Sequence, residues 1–484
     1  MRARGSEKMT APWPLVSCRR VSHLLRKLFI HGVLVAGGVV FSLPFFWLLT
    51  TSFKSDKEMF VLPPEWIPEI PPKVEHSPYL LTWRGQTTEQ FFGLGPITVQ
   101  DRDLSDYPVA NSVHLWREAG AAGIAPLDSF ESRPLRRVPY DFRQRNTVVY
   151  EALFSSPIPV ETLRRVEISY KSDRSFHRLH VQVFTPEGIW VSADPSVLNS
   201  ETWKSAPWQF AKRREEERDV LRLEQLVAAP QRWLVGKNGE EKILVRATLE
   251  RVSWLGAVWT KYTENYVDSL AYIPFGRFVV NTIILTALNI VLQLLSCSLI
   301  AYGFSRIRWP GRNVMFGLLL ATMMIPGQVV MIPQFMIWKS MGMYNTWGPL
   351  FLGSLFGSGF FIFLLRQFML TIPNDLEDAA KIDGAGYLAV WRMVMLPLIK
   401  PALAAIAIFQ FMGSWNDFFT PFLYITSKEL MPISLGLYMF KDARGAEYGM
   451  LMAASTMMVV PIIALFFFAQ RYFIQGVTLT GLKG

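Results

Sequence analysis

The chain of 484 residues is 51% hydrophobic, only 18% charged, and carries a net charge of +10. Its length suits about three soluble domains, yet the apolar residues gather in one stretch near the N-terminus and in nearly everything after Phe278. The cations collect at the ends of those stretches, as they do around membrane spans, which excludes a nucleic-acid footprint.

Residues 1–27 form a basic tail containing Arg2, Arg4, Lys8, Arg19, Arg20, Arg26 and Lys27. Residues 28–53, Leu28 to Phe53, carry no formal charge. A helix needs roughly 20 apolar residues to cross a bilayer, so this is the first predicted span. A cleaved signal peptide is the competing reading, but the apolar stretch is longer than a signal core and no clean small-x-small site follows it. Of the two cysteines, Cys18 lies in the tail and Cys297 in an apolar run, so neither a disulfide nor a metal site is expected.

Residues 54–273 read as an extracytoplasmic insert. Pro63, Pro64, Pro68, Pro71 and Pro72 make its first part too proline-rich for a regular element. From about residue 147 it is β-rich, with short strands predicted over Thr147–Phe154, Leu163–Tyr170, Leu179–Phe184, Gly188–Val191, Arg232–Val235 and Lys242–Leu249. Val148, Tyr150 and Ala152 show the alternation of a half-buried strand, and Pro186-Glu187-Gly188 marks a turn. The charged stretch Ala211–Leu226 reads as a helix, with Val220, Leu223 and Leu226 as its apolar stripe. A small sandwich is the expected fold. No catalytic constellation stands out, and His177 and His180 lack a third ligand for a metal.

Residues 274–484 contain five further predicted spans: Phe278–Ser305, Asn313–Trp338, Trp347–Leu365, Ala402–Ile425 and Met450–Gln470. Arg306, Arg308 and Arg312 mark a cytoplasmic turn, whereas the turn at Lys339 carries a single cation. Both termini are therefore expected in the cytoplasm, and the chain is expected to be a mainly α membrane protein of six helices. Pro326-Gly327 and Pro333 should kink the third span, and broken helices often line transport cavities.

Between the fourth and fifth spans lies Ile372–Pro401. Asn374 should cap a helix whose first turn holds Asp375 and Glu377. Leu376, Ala379 and Ala380 form a small apolar face, and Asp383-Gly384 should end the helix in a left-handed turn. A second helix follows over Tyr387–Leu396, before Pro397 and Pro401. The result is a capped, bent hairpin on the cytoplasmic surface, suited either to passing motion from a partner or to simple connection.

This segment resembles the "EAA loop" of ATP-binding-cassette importer permeases. The matching residues are Asp378-Ala379-Ala380, Gly384, and Val394-Met395-Leu396-Pro397, with Asp378 standing where that family usually has glutamate. Thr51-Ser52-Phe53-Lys54, Phe275-Gly276-Arg277 with Asn281, Leu364-Leu365-Arg366-Gln367-Phe368, Gly413-Ser414-Trp415-Asn416-Asp417-Phe418 and Gln470-Arg471-Tyr472-Phe473 resemble the carbohydrate-uptake branch, of maltose and glycerol-phosphate type. The resemblance implies a type I importer with ABC ATPase subunits, a second permease subunit and an extracytoplasmic substrate-binding protein. It implies contact with the ATPase through Glu377, Asp378, Ala379, Ala380, Asp383, Gly384, Leu396 and Pro397. The sequence has no G-x-x-x-x-G-K-S/T loop, so ATP is expected at the partner, and this chain should be neither an enzyme nor a cofactor carrier. The insert is where the chain departs from the family.

Polar groups in a bilayer usually face protein or a cavity. Asn289, Gln293, Gln328, Gln410, Asn416 and Asp417 are the candidate pathway residues, with Gln334 nearby and Trp415 and Phe419 as stacking surfaces for a sugar. The competing reading is helix–helix packing. An ion-coupled secondary transporter or a membrane sensor with an external ligand-binding insert are the alternative functions.

Overall fold

The computed structural model describes residues 16–83, 85–119, 126–210, 221–227, 231–236, 238–442, 445–446 and 448–478. The basic residues before Val16 and most of the charged stretch 211–226 lie outside them. Helix α1 runs from Val16 to Thr51, and its apolar part is uncovered by the rest of the chain until Thr50 and Thr51, which are buried. After a single turn, Asp56–Met59, residues 60–75 form no regular element, as their prolines dictate.

Strands begin at His76, well before the expected start at 147. The main ones are β1 (Gly93–Asp101), β2 (Leu127–Phe130), β3 (Arg133–Arg137), β4 (Thr147–Ser155), β5 (Leu163–Lys171), β6 (Arg178–Thr185), β7 (Gly188–Ser192), β8 (Trp203–Phe210), β9 (Leu221–Val227) and β10 (Lys242–Glu250). They form one sheet in the order β4-β10-β6-β7-β9-β8-β5-β1-β3-β2, with Arg117–Glu118 beyond β4. Pairing is antiparallel except between β8 and β9, where Trp208 lies opposite Leu221. One face is apolar at period two: Val148, Tyr150 and Ala152 on β4, Leu179, Val181 and Val183 on β6, and Val166, Ile168 and Tyr170 on β5 are all buried. These residues belong to a core that contains nothing after Leu249. The core is thus built within the insert, from its strands and the loops between them.

Two local expectations fail here. The predicted helix is strand β9 over its described part, with Leu223 buried and Leu226 67% exposed. The i, i+3 spacing that imitates a helix is overruled by pairing with β7 and β8. Arg232–Leu234 is a 3-10 turn rather than a strand, with only a bridge from Val235 to Glu241.

A helix that the sequence reading did not foresee, in residues it assigned to the insert, follows directly. Helix α2, Trp254–Tyr272, is capped by Ser253, whose side chain accepts from the Gly256 amide. Next come α3 (Phe275–Ser305), α4 (Arg312–Thr322), α5 (Gly327–Ser340), α6 (Gly359–Leu370), α7 (Asp375–Ile382), α8 (Tyr387–Leu398), α9 (Lys400–Trp415), α10 (Phe419–Tyr424) and α11 (Tyr448–Thr478). Among the described residues four helical stretches are long and apolar enough to cross a membrane, and up to six if the bent pairs α4–α5 (99°) and α8–α9 (80°) each count as one.

The breaks have local causes. Pro326 immediately precedes α5; it has no amide hydrogen to continue the ladder, and it clashes with a preceding helical turn. Before α6, Gly357 adopts φ 73°, and a Cβ there would lie 3.1 Å from Ile362 and 3.2 Å from Cys297. Only glycine takes both the left-handed backbone and the tight packing without strain.

Loop 172–177 of the insert is buried throughout and docks against the helical part. There His177 Nδ1 accepts from the Val252 amide at 3.1 Å, and the ring packs edge-on against Phe142 at 4.8 Å. Burial drives this imidazole down to about 4 from an ordinary 6.5. The unfolded chain therefore takes up a proton between pH 6.5 and 4 that the folded chain refuses. Stability is full above 6.5 and falls as pH drops toward 4, by about 3 kcal/mol from this group. We expect the melting temperature of the insert to fall more steeply over that range in the wild type than in His177→Gln. Parallel pH–melting curves would refute the assignment.

Candidate functional site

Two regions gather candidate side chains. The first is the hairpin α7–α8. Asn374 does not cap α7 with its side chain: its carbonyl accepts from the amides of Glu377 (2.9 Å) and Asp378 (3.0 Å), while its side-chain oxygen accepts from Arg306. The C-terminus ends in a paired turn, with the Gly384 amide on the Lys381 carbonyl at 3.0 Å and the Ala385 amide on the Ala380 carbonyl at 2.9 Å. This Schellman geometry requires the left-handed residue that Gly384 supplies at φ 86°.

Arg306, at the end of α3, clamps the hairpin. Its guanidinium donates to the carbonyls of Met369 and Ile372 and lies 4.0 Å from the Glu377 carboxylate. Glu377 also receives Lys381 at 3.0 Å and is buried. Grouped by sequence with the partner-facing residues, Glu377 in fact faces inward and ties the hairpin to α3. Asp378, Ala379, Asp383, Gly384 and Pro397 are exposed, and Ala380 and Leu396 are half-buried. Around them Leu376, Ile382, Tyr387, Leu388 and Met393 also stand exposed. The opposite side is anchored: Val390 and Met395 belong to one core with Ala301, Leu365 and Ile406. A push on the exposed face thus reaches α3, α6 and α9 through close-packed side chains.

The second region is a cleft where helices break. Asn289 of α3 donates to the carbonyls of Leu285 (2.9 Å) and Leu350 (3.0 Å) and accepts from Ser354 (2.5 Å). It braces the non-α stretch Leu352–Phe356 against α3. On one side of Asn289 lies a cavity of about 150 Å³, lined also by Thr282, Gln410, Ser414 and Asp417. On the other lies one of about 230 Å³, lined by Gln334, Ser354, Phe419 and Tyr424. Asp417 sits in the gap between α9 and α10, where its Oδ1 accepts from the Thr420 amide at 3.1 Å. Gln410 donates to Ser414 at 3.1 Å.

Other candidates are not in the cleft. Gln293 is buried and donates to Cys297 at 3.1 Å. Trp415, a stacking surface in the sequence reading, is buried: its indole donates to the Met458 carbonyl at 3.1 Å and its ring stacks on Phe411. It holds α9 to α11. Asn416 is exposed and donates to Met412 at 2.9 Å, and Gln328 is exposed. Neither lines the two cavities. Thr282 and Ser354 were missed, having no signal beyond being hydroxyls in apolar runs. Among the described residues no group of three or more His, Cys, Asp or Glu is placed to hold a metal; His180 instead meets Glu250 at 2.9 Å.

Broken apolar helices around a polar cleft, with a rigid hairpin clamped below, define a membrane transport component. The model of the binding-protein-dependent transport system inner membrane component family matches residues 295–479. The chain is 37% identical over 204 residues to an arabinooligosaccharides transport system permease protein of Halalkalibacterium halodurans, covering 42% of this chain and 73% of that one. It is 32% identical over 211 residues to a diacetylchitobiose uptake system permease protein of Streptomyces coelicolor, covering 43% and 70%. A crystal structure of a bacterial ABC transporter involved in alginate import aligns with TM-score 0.40 and 26% identity, covering 43% of this chain and 79% of that one. The chain belongs to the binding-protein-dependent transport inner membrane component family. It is a multi-pass membrane protein and a transport component rather than an enzyme, which displaces the ion-coupled and sensor readings.

Proposed function

We propose that this chain is one of two permease subunits in a type I, ATP-driven importer of sugars or oligosaccharides. Six spans carry it across the membrane, namely α1, α3, the bent pair α4–α5, the stretch that ends in α6, α9 with α10, and α11, with both termini in the cytoplasm and the sheet domain outside. The polar cleft around Asn289, Gln410 and Asp417 forms its half of the pathway, and the hairpin α7–α8 receives the stroke of a separate ATPase that consumes the ATP. An extracytoplasmic binding protein delivers the substrate. The saccharide class is supported by the arabinooligosaccharide and diacetylchitobiose relatives and by the hydroxyl and amide lining of the cleft.

The observation that carries this reading is the two-faced hairpin, with Asp378 and Leu388 exposed while Val390 and Met395 sit in the core of the spans. Proteoliposomes holding the chain with its companion permease, ATPase and binding protein should take up labelled oligosaccharide only when ATP is supplied on the ATPase side. Uptake that continues after the ATPase is omitted would overturn the reading.

A further inference from the structure

Outside the cleft, the end of α1, helix α2, the start of α11 and the sheet domain enclose a cavity of about 340 Å³. Lys54, Arg174 and Lys261 at its base are buried, while Thr202 and Asp268 are exposed, so it opens to water on the insert's side.

Donors and acceptors alternate around its wall. Glu264 accepts from Asn199, whose side-chain oxygen in turn accepts from Lys204. Arg174 is held by Glu58 at 3.1 Å and Glu201 at 3.3 Å, and Lys261 pairs with Glu58. Ser200 Oγ is buried at the same wall and finds no hydrogen-bond partner among the described residues. Phe53 and Phe176 supply apolar surface.

Sites for small molecules begin at about 300 Å³, which admits a mono- or disaccharide here. The charges discriminate against ions of either sign. A phosphate would meet Glu201, Glu264 and Asp268, and an ammonium would meet Lys54, Lys204 and Lys261. A hydroxyl both donates and accepts, so a ring bearing several of them can pair with alternating partners while its C–H faces rest on phenylalanine.

We propose that this cavity is a saccharide subsite ahead of the cleft, taking a neutral mono- or disaccharide; the assignment rests on the importer reading. One apolar cluster lies between the two regions. Met450 lines the outer cavity and packs against the cluster that contains Phe278 and Ile433. Thr282, which donates to the Phe278 carbonyl at 2.7 Å and accepts from the Ile433 amide at 2.8 Å, lines the cleft.

Thiol protection on the full chain in lipid nanodiscs tests the site. Thr202→Cys places a thiol on the rim, and Ser205→Cys places one three residues on, in strand β8 outside the cavity. Modification by a polar methanethiosulfonate reagent is followed by mass spectrometry with maltose, N,N′-diacetylchitobiose or arabinobiose at millimolar concentration. At least one sugar should slow modification of Thr202→Cys by fivefold or more, leave Ser205→Cys unchanged, and lose its effect when Ser200→Trp fills the cavity. No protection by any of the three, or equal slowing at Ser205→Cys, overturns the subsite. Recovery of an ATPase with the same chain separates the two readings. An ATPase without protection removes the subsite and keeps the importer; protection without an ATPase does the reverse.

Discussion

Gly384→Val should cut recovery of the partner ATPase with the chain at least tenfold while leaving the chain in the membrane. Gly384 holds φ 86°, a region that costs a side-chain-bearing residue about 1–2 kcal/mol and a β-branched one more. Relief of that strain opens the turn closed by the Ala385 and Gly384 amides, and the exposed face on α7–α8 loses its shape. Neighbouring charges should divide by burial. Asp378 is exposed, so Asp378→Lys should abolish recovery of the ATPase at an unchanged melting temperature, and Asp378→Glu should be tolerated. Glu377 is buried between Arg306 and Lys381, so Glu377→Gln should lower the melting temperature of the chain itself. Pull-down from membranes with a parallel melt reads both. An Asp378→Lys chain that retains its ATPase would sink the docking role.

Glu58→Ala should cost about 3–5 kcal/mol, the usual penalty when a buried pair loses one partner. The Glu58 side chain is only 2% exposed, and its Oε1 serves both Arg174 at 3.1 Å and Lys261. Its Oε2 accepts from the Ser55 amide at 3.2 Å. Its removal leaves two buried cations short of an anion, with burial already pushing the Lys261 amine below its ordinary value. Hydrogen exchange should rise across 172–177 and the N-terminal half of α2. Replacing the three together, Glu58→Leu with Arg174→Met and Lys261→Met, should recover much of the loss, because the three mutually paired buried charges go together and the other partners of Arg174, Glu69 and Glu201, are partly exposed to water. A single substitution no more costly than Glu89→Ala, a half-exposed partner of Arg137, would refute the network's role.

The sequence makes some elements plain and hides others for physical reasons. The apolar runs mark the spanning helices because a bilayer demands length and hydrophobicity together, and Pro326 announces the 99° bend. Strands β4, β5, β6 and β10 show through their alternation. Strand β1, Gly-Leu-Gly-Pro-Ile-Thr-Val-Gln-Asp, hides because glycine and proline dilute its pattern, though Ile97 and Val99 are wholly buried. Helix α2 hides for the opposite reason. It mixes Trp, Lys, Glu and Asn, since it must grip both the end of α1, through Asn265 on the Ser52 and Lys54 carbonyls at 2.8 and 3.0 Å, and the helix α11. The EAA-like spacing locates the hairpin, but not that Glu377 turns inward, a fact decided by Arg306 far away in the chain. Trp415 reads as a stacking surface until Met458 and Phe411 are seen to claim it. The network of Glu58, Arg174 and Lys261 has no local signature at all.

The sheet domain's two ends meet. Glu75 and Arg251 face each other at 3.6 Å, and the Trp254 indole reaches back to the Pro71 carbonyl at 3.0 Å. A domain whose entry and exit are neighbours behaves as a cassette: it can be gained, lost or exchanged between related permeases by one short splice. Arg174 and Glu201 would leave with it, whereas Glu58 and Lys261 belong to the stem and would remain paired. The stem is thus already closed electrostatically without its passenger, and the descent of the transport core and that of the domain it carries are free to be separate histories.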